Sequence, residues 1–169
     1  PTTGTPLARK VRWVEEAERA ARAYDSHVVK VGVTLYDSLS TIQIATSEGA
    51  LLCDVRPMLR FYVQVVAERA GNRQIGLSSG GGRLGNEYFE TRMSPAEHGR
   101  EAARQAMLLL DAVDAPAGPM ELILAHAESG VLLHESVGHS LEADFIRKGT
   151  SAYTNRVGDR VASELVTVI

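Results

Sequence analysis

At His27 the hydrophobic period of the chain switches from helical to alternating, and this switch constrains the fold more than any other feature. Upstream, Leu7, Val11, Val14, Ala17 and Ala21 recur at helical spacing, and Thr5-Pro6 supplies an N-cap followed by proline in the first helical position. An amphipathic helix is expected over residues 6–24. Downstream, Val29, Val31, Val33 and Leu35 alternate with Lys30, Gly32 and Thr34, as in a strand with one buried face. Further strands are expected over 41–46, 51–55, 61–67 and 74–78, with turns at Ser47-Glu48-Gly49 and Ala70-Gly71-Asn72-Arg73. Short strands joined by short turns predict an antiparallel meander.

Gly80-Gly81-Gly82 and Gly85 then read as a flexible hinge or a lip beside a substrate. Neither GxGxxG nor GxxxxGK[ST] is present, and residues 86–90 do not open a helix, which argues against a phosphate cradle. Ser94-Pro95-Ala96-Glu97 carries the N-cap, first-turn proline and capping-box glutamate of a second helix. That helix runs through Ala102, Ala103, Ala106, Leu109 and Leu110, and Pro116-Ala117-Gly118-Pro119 ends it in a rigid link. A short apolar strand over 120–126 and a helix over 128–141 follow, and beyond Asp144 the chain reads as polar loop. The fold class expected is α+β: an antiparallel β meander packed with two long helices, then a strand and a helix. The domain division expected is an N-terminal α+β domain at 1–115 and a second region at 116–169. Residues 165–169 read as a strand without a neighbour, and the first residue is not Met, so the native chain is expected to continue.

The late helix carries His134-Glu135-Ser136-Val137-Gly138-His139, an HExxxH pattern. Two imidazoles offer nitrogen ligands to Zn²⁺, and the adjacent carboxylate can take a proton from water. The spacing is one residue longer than HExxH. Five residues along an α-helix rotate about 500°, leaving the two rings roughly 140° apart. A π-bulge would realign them, and Gly138 lies where backbone distortion costs least. A π-turn or a break is therefore expected between Val137 and Ser140. Only His134 and His139 are evident ligands, whereas a catalytic zinc uses three. Glu142, Cys53 or a residue outside these 169 remain open as the third. His27, His98 and His126 read as surface or supporting groups. Asp144, Arg147 and Lys148 read as ordering the following loop, or as a solvated cluster.

Composition narrows the function classes. A net charge of -3 gives no drive toward nucleic acid or anionic membranes, and basic residues do not interleave with aromatics. No apolar run approaches the roughly 20 residues of a spanning helix. Residues 1–20 contain no signal-peptide core. Cys53 is the single cysteine, which fits a reducing compartment, so a cytoplasmic location is expected.

The segment Gly130-Val-Leu-Leu-His-Glu-Ser-Val-Gly-His-Ser-Leu-Glu-Ala-Asp-Phe-Ile-Arg-Lys-Gly-Thr-Ser-Ala, with Val157-Gly158-Asp159-Arg160-Val161-Ala162, resembles the TldD branch of the TldD/PmbA family. Asp54-Val55-Arg56-Pro57 and the glycine segment at 80–83 look like that family's N-terminal region. The resemblance implies a zinc metallopeptidase with His134 and His139 as ligands and Glu135 as general base. It further implies unfolded or modified peptides as substrates, a TldE/PmbA-like partner in a heterodimer, and a third ligand, a Cys, in a C-terminal domain. This chain would be the N-terminal portion of such a protein. Ser136, Ser140 and Ala143 depart from the family's usual Ala, Gly and Gly. The rival reading is a non-catalytic scaffold or assembly subunit with a structural metal or none.

Overall fold

The chain stays extended and paired from Val28 to Ala45, so the two strands expected over 29–35 and 41–46 are one 18-residue strand, β1 (Val28–Ala45). The computed structural model describes residues 4–125 and 128–166. Its partner β2 (Leu51–Arg69) likewise fuses the expected strands at 51–55 and 61–67. The bridging residues stay extended although Asp37, Ser38 and Pro57 are common in turns: Asp37 pairs with Leu59, Ser38 with Met58 and Leu39 with Pro57. Pro57 is tolerated because β2 has a neighbour on only one side there. β3 (Asn72–Gly82) completes an antiparallel sheet of order β1-β2-β3. A two-residue loop joins β2 to β3, with both Ala70 (φ 51°) and Gly71 (φ 83°) left-handed, as the twist of a tight hairpin demands.

The expected glycine hinge is instead the end of β3. Gly80, Gly81 and Gly82 pair with Phe61, Arg60 and Leu59. The first two are needed for close approach: a Cβ at Gly80 would stand 1.7 Å from Tyr88 Oη, and one at Gly81 would stand 2.0 Å from the Leu59 carbonyl oxygen. A short helix that the sequence reading missed, α2 (Tyr88–Thr91), follows at once. It lacks a side-chain cap and has one turn, too little for a periodicity signal.

Helix α1 spans Leu7–Arg22, with Pro6 rather than Thr5 at the N-cap. Its buried face is Trp13, Ala17 and Ala21, while Leu7 and Val11 are exposed. The apolar stripe is thus rotated from the expected one because alanines let α1 lie close to α3 (Pro95–Leu110). Helix α3 opens as expected: Ser94 Oγ accepts from the Glu97 amide and Glu97 Oε2 accepts from the Ser94 amide at 2.7 Å. Both helices cover one face of the sheet, where Leu59, Phe61, Val63, Val65 and Ala67 alternate along β2 and are fully buried. Each large side chain among them contributes roughly 1.5–3 kcal/mol of burial. Phe89 on α2 packs against Trp13 at 4.7 Å and Phe61 at 5.1 Å between ring centroids.

His98 is no surface group. The first turn of α3 faces β3, and its imidazole is fully buried, with Nδ1 2.7 Å from Ser78 Oγ and Nε2 2.9 Å from Tyr88 Oη. Burial holds it below its ordinary value of 6.5 and therefore neutral. The unfolded chain binds a proton near 6.5 that the folded chain refuses. This stabilisation is complete above that pH and drains away as the pH falls toward the depressed folded value. Urea midpoints measured from about pH 7 to about pH 5 should fall, and His98→Gln should flatten the decline. Equal slopes in both proteins would remove His98 from the account.

The chain divides into two compact units, 1–115 and 116–169. In the second unit, residues 120–125 pair with no strand, and the apolar side chains Leu122 and Ile123 are exposed, so the strand expected there is absent from the described residues. His126 lies outside them, as do residues 167–169; Leu165 sits in a turn rather than a strand. The helix expected over 128–141 is broken into three pieces. α4 (Glu128–Leu133) passes into a π-turn (His134–Gly138) and then a 3₁₀ turn (His139–Leu141). The polar stretch beyond Asp144 opens not as a loop but as α5 (Ala143–Lys148), closed by Gly149 at φ 71°. Asp144 and Lys148 pair within it at 3.6 Å.

Candidate metal centre

The π-turn solves the spacing problem posed by HExxxH. The His139 amide reaches the His134 carbonyl, five residues back, so the extra residue is absorbed in one wide turn. The expected distortion is present, but it begins at His134 rather than after Val137, and the 3₁₀ turn takes up the remainder. The imidazoles of His134 and His139 come to lie on one side, 4.4 Å apart between centroids. One ligand atom each from His134, Glu135 and His139 falls within 4.8 Å of the others, and all three residues are exposed.

Gly138 makes room for this arrangement. A Cβ there would stand 2.9 Å from His134 Nδ1, so any larger residue would push the ring aside. Ser136 Oγ donates to the Leu132 carbonyl, which ties the first turn of the distortion to α4. Ser151 Oγ donates to the Ser140 carbonyl at 2.5 Å and fastens the later loop to the 3₁₀ turn.

His139 has a different partner on each ring nitrogen. Nδ1 lies 2.6 Å from Glu142 Oε1, and Nε2 lies 3.5 Å from Glu135 Oε2. The hydrogen bond to Glu142 and the nearby carboxylate charges hold His139 above its ordinary value of 6.5. Glu142 therefore stands on the far nitrogen of His139 and is not one of the three grouped residues. Cys53 belongs to the first unit and is exposed, with its Sγ 3.5 Å from Gln43 Nε2. His27 pairs with Asp25 at 2.6 Å. The donor set, two imidazoles and an adjacent carboxylate, fits a borderline divalent ion such as Zn²⁺.

A π-distorted helix thus converges two histidines and a glutamate in a group that could hold a metal ion. The chain belongs to the PmbA/TldD metallopeptidase family: residues 1–110 match the model described as the PmbA/TldA metallopeptidase central domain, and residues 117–169 match the C-terminal domain. These are the central and C-terminal domains, rather than the N-terminal portion expected from the resemblance. A metalloprotease TldD homolog of Haemophilus influenzae is 38% identical over 173 residues, covering 100% of this chain and 36% of that protein. A metalloprotease of Methanothermobacter thermautotrophicus is 33% identical, covering 100% of this chain and 37% of that protein. The chain thus spans little more than a third of these relatives. A Thermotoga maritima structure described as a modulator of a DNA gyrase superposes with a TM-score of 0.74 over 89% of this chain and 34% of that one. At 20% identity it shares the fold alone.

Proposed function

We propose that the parent protein is a zinc-dependent peptidase acting on unfolded or modified peptides. The observation that supports this most is the convergence of His134, Glu135 and His139 through the π-turn. His134 and His139 would hold the ion, with a third ligand, a cysteine by resemblance, from outside these residues. A bound zinc supplies Lewis acidity for hydrolysis of a peptide bond. Glu135, adjacent in sequence to one ligand and 3.5 Å from the other, would accept a proton from the attacking water and return it to the leaving amine. By resemblance the protein would work with a TldE/PmbA-like partner subunit, and its single cysteine fits a cytoplasmic location. Among the described residues no helix is long and apolar enough to cross a membrane.

The test is elemental analysis of the intact protein beside His134→Ala. About one zinc per chain, lost in the variant, is the expected result. Equal zinc in both, or none in either, would sink the ligand assignment and favour the scaffold reading.

A further inference from the structure

Glu142 occupies the N-cap of α5, with φ −65° and ψ 134°, yet its side chain makes no cap hydrogen bond. An N-cap side chain ordinarily accepts an amide of the first helical turn, and short residues suit that position better than Glu. The Glu142 carboxylate instead reaches back over the 3₁₀ turn to His139 Nδ1 at 2.6 Å. Its backbone is fixed for that reach: the Glu142 amide donates to the His139 carbonyl at 3.3 Å, and its own carbonyl accepts from Ile146 at 3.1 Å.

Neutral imidazole has one N–H and one lone pair. An acceptor held at Nδ1 keeps the proton there and leaves the lone pair on Nε2, the nitrogen that faces Glu135. We infer that Glu142 is a positioning residue for the metal centre, not a ligand: it fixes the tautomer and ring plane of His139 so that Nε2 addresses the ion shared with His134. Carboxylate–histidine–metal chains work this way elsewhere, and their loss lowers metal affinity about 10–100-fold. The inference rests on ligation by His134 and His139.

Zinc dissociation constants from chelator competition, with Co²⁺ absorption spectra, test it on the intact protein. Glu142→Ala should weaken zinc about 10–100-fold. Glu142→Gln, whose amide oxygen still accepts from Nδ1–H, should recover most of that loss. Its Co²⁺ bands should stay at the wild-type positions, because the ligand set is unchanged. Wild-type affinity in Glu142→Ala would overturn the role. So would a Gln variant as weak as Ala with shifted bands, which would make Glu142 a ligand. A wild-type protein that binds neither ion would overturn the ligation reading, and the role of Glu142 with it.

Discussion

Gly76→Ala is expected to destabilise the first unit by about 3 kcal/mol, at the upper end of what overpacking a close-packed core usually costs. The added Cβ would stand 2.0 Å from the Ala102 carbonyl oxygen and 2.3 Å from the Ala106 amide nitrogen. Both obstacles are backbone of α3, so no side chain can rotate away and the helix must lift from the sheet. A shift toward α1 is also opposed, because a Cβ at Gly99 would stand only 2.2 Å from the Ala17 carbonyl oxygen of α1. Helix α3 is thus pinned between a strand and a helix, each contacting it through a glycine. Gly32→Ala is the internal control, since nothing lies within 4 Å of its Cβ position. Urea midpoints that drop equally in the two variants would show that the α3 seat is not tight.

Glu135→Gln is expected to lower peptide hydrolysis by about 10²–10⁴ while zinc stays bound. The amide keeps the size and polarity of the carboxylate but cannot take a proton. The loss should fall on kcat, with KM and zinc content near wild type, because the substitution leaves both imidazoles and the π-turn that converges them in place. Hydrolysis retained in this variant would remove Glu135 as the base. Zinc lost along with activity would instead assign the carboxylate to ligation, and its distance of 3.5 Å from His139 Nε2 makes that outcome worth separating.

The sequence revealed elements whose signals are local. The capping box at Ser94 and Glu97, the alternation in β2 and the strain implied by HExxxH all act within a few residues, and all appear in the structure. What it hid depends on distant partners. The continuity of β1 and β2 through 36–40 and 56–60 follows from their pairing with each other, not from their own pattern. Gly80–Gly82 read as a hinge because nothing nearby in sequence announces that Tyr88 and Leu59 press against them. At the site, spacing identified His134, Glu135 and His139 as one group, but the same i,i+3 interval at Glu142 could not say which ring nitrogen it would meet.

The meander has an uneven consequence for β2. From Leu59 to Ala67 the strand is paired on both edges and covered by helices; from Leu51 to Met58 it has β1 alone, and most of its side chains are exposed. Amide protons of the first stretch can exchange only when the whole unit opens, whereas those of the second can exchange through fraying of a two-stranded ribbon, which is marginal in water by itself. One continuous strand therefore carries two opening free energies. The boundary between them, at Met58 and Leu59, is set by where β3 ends.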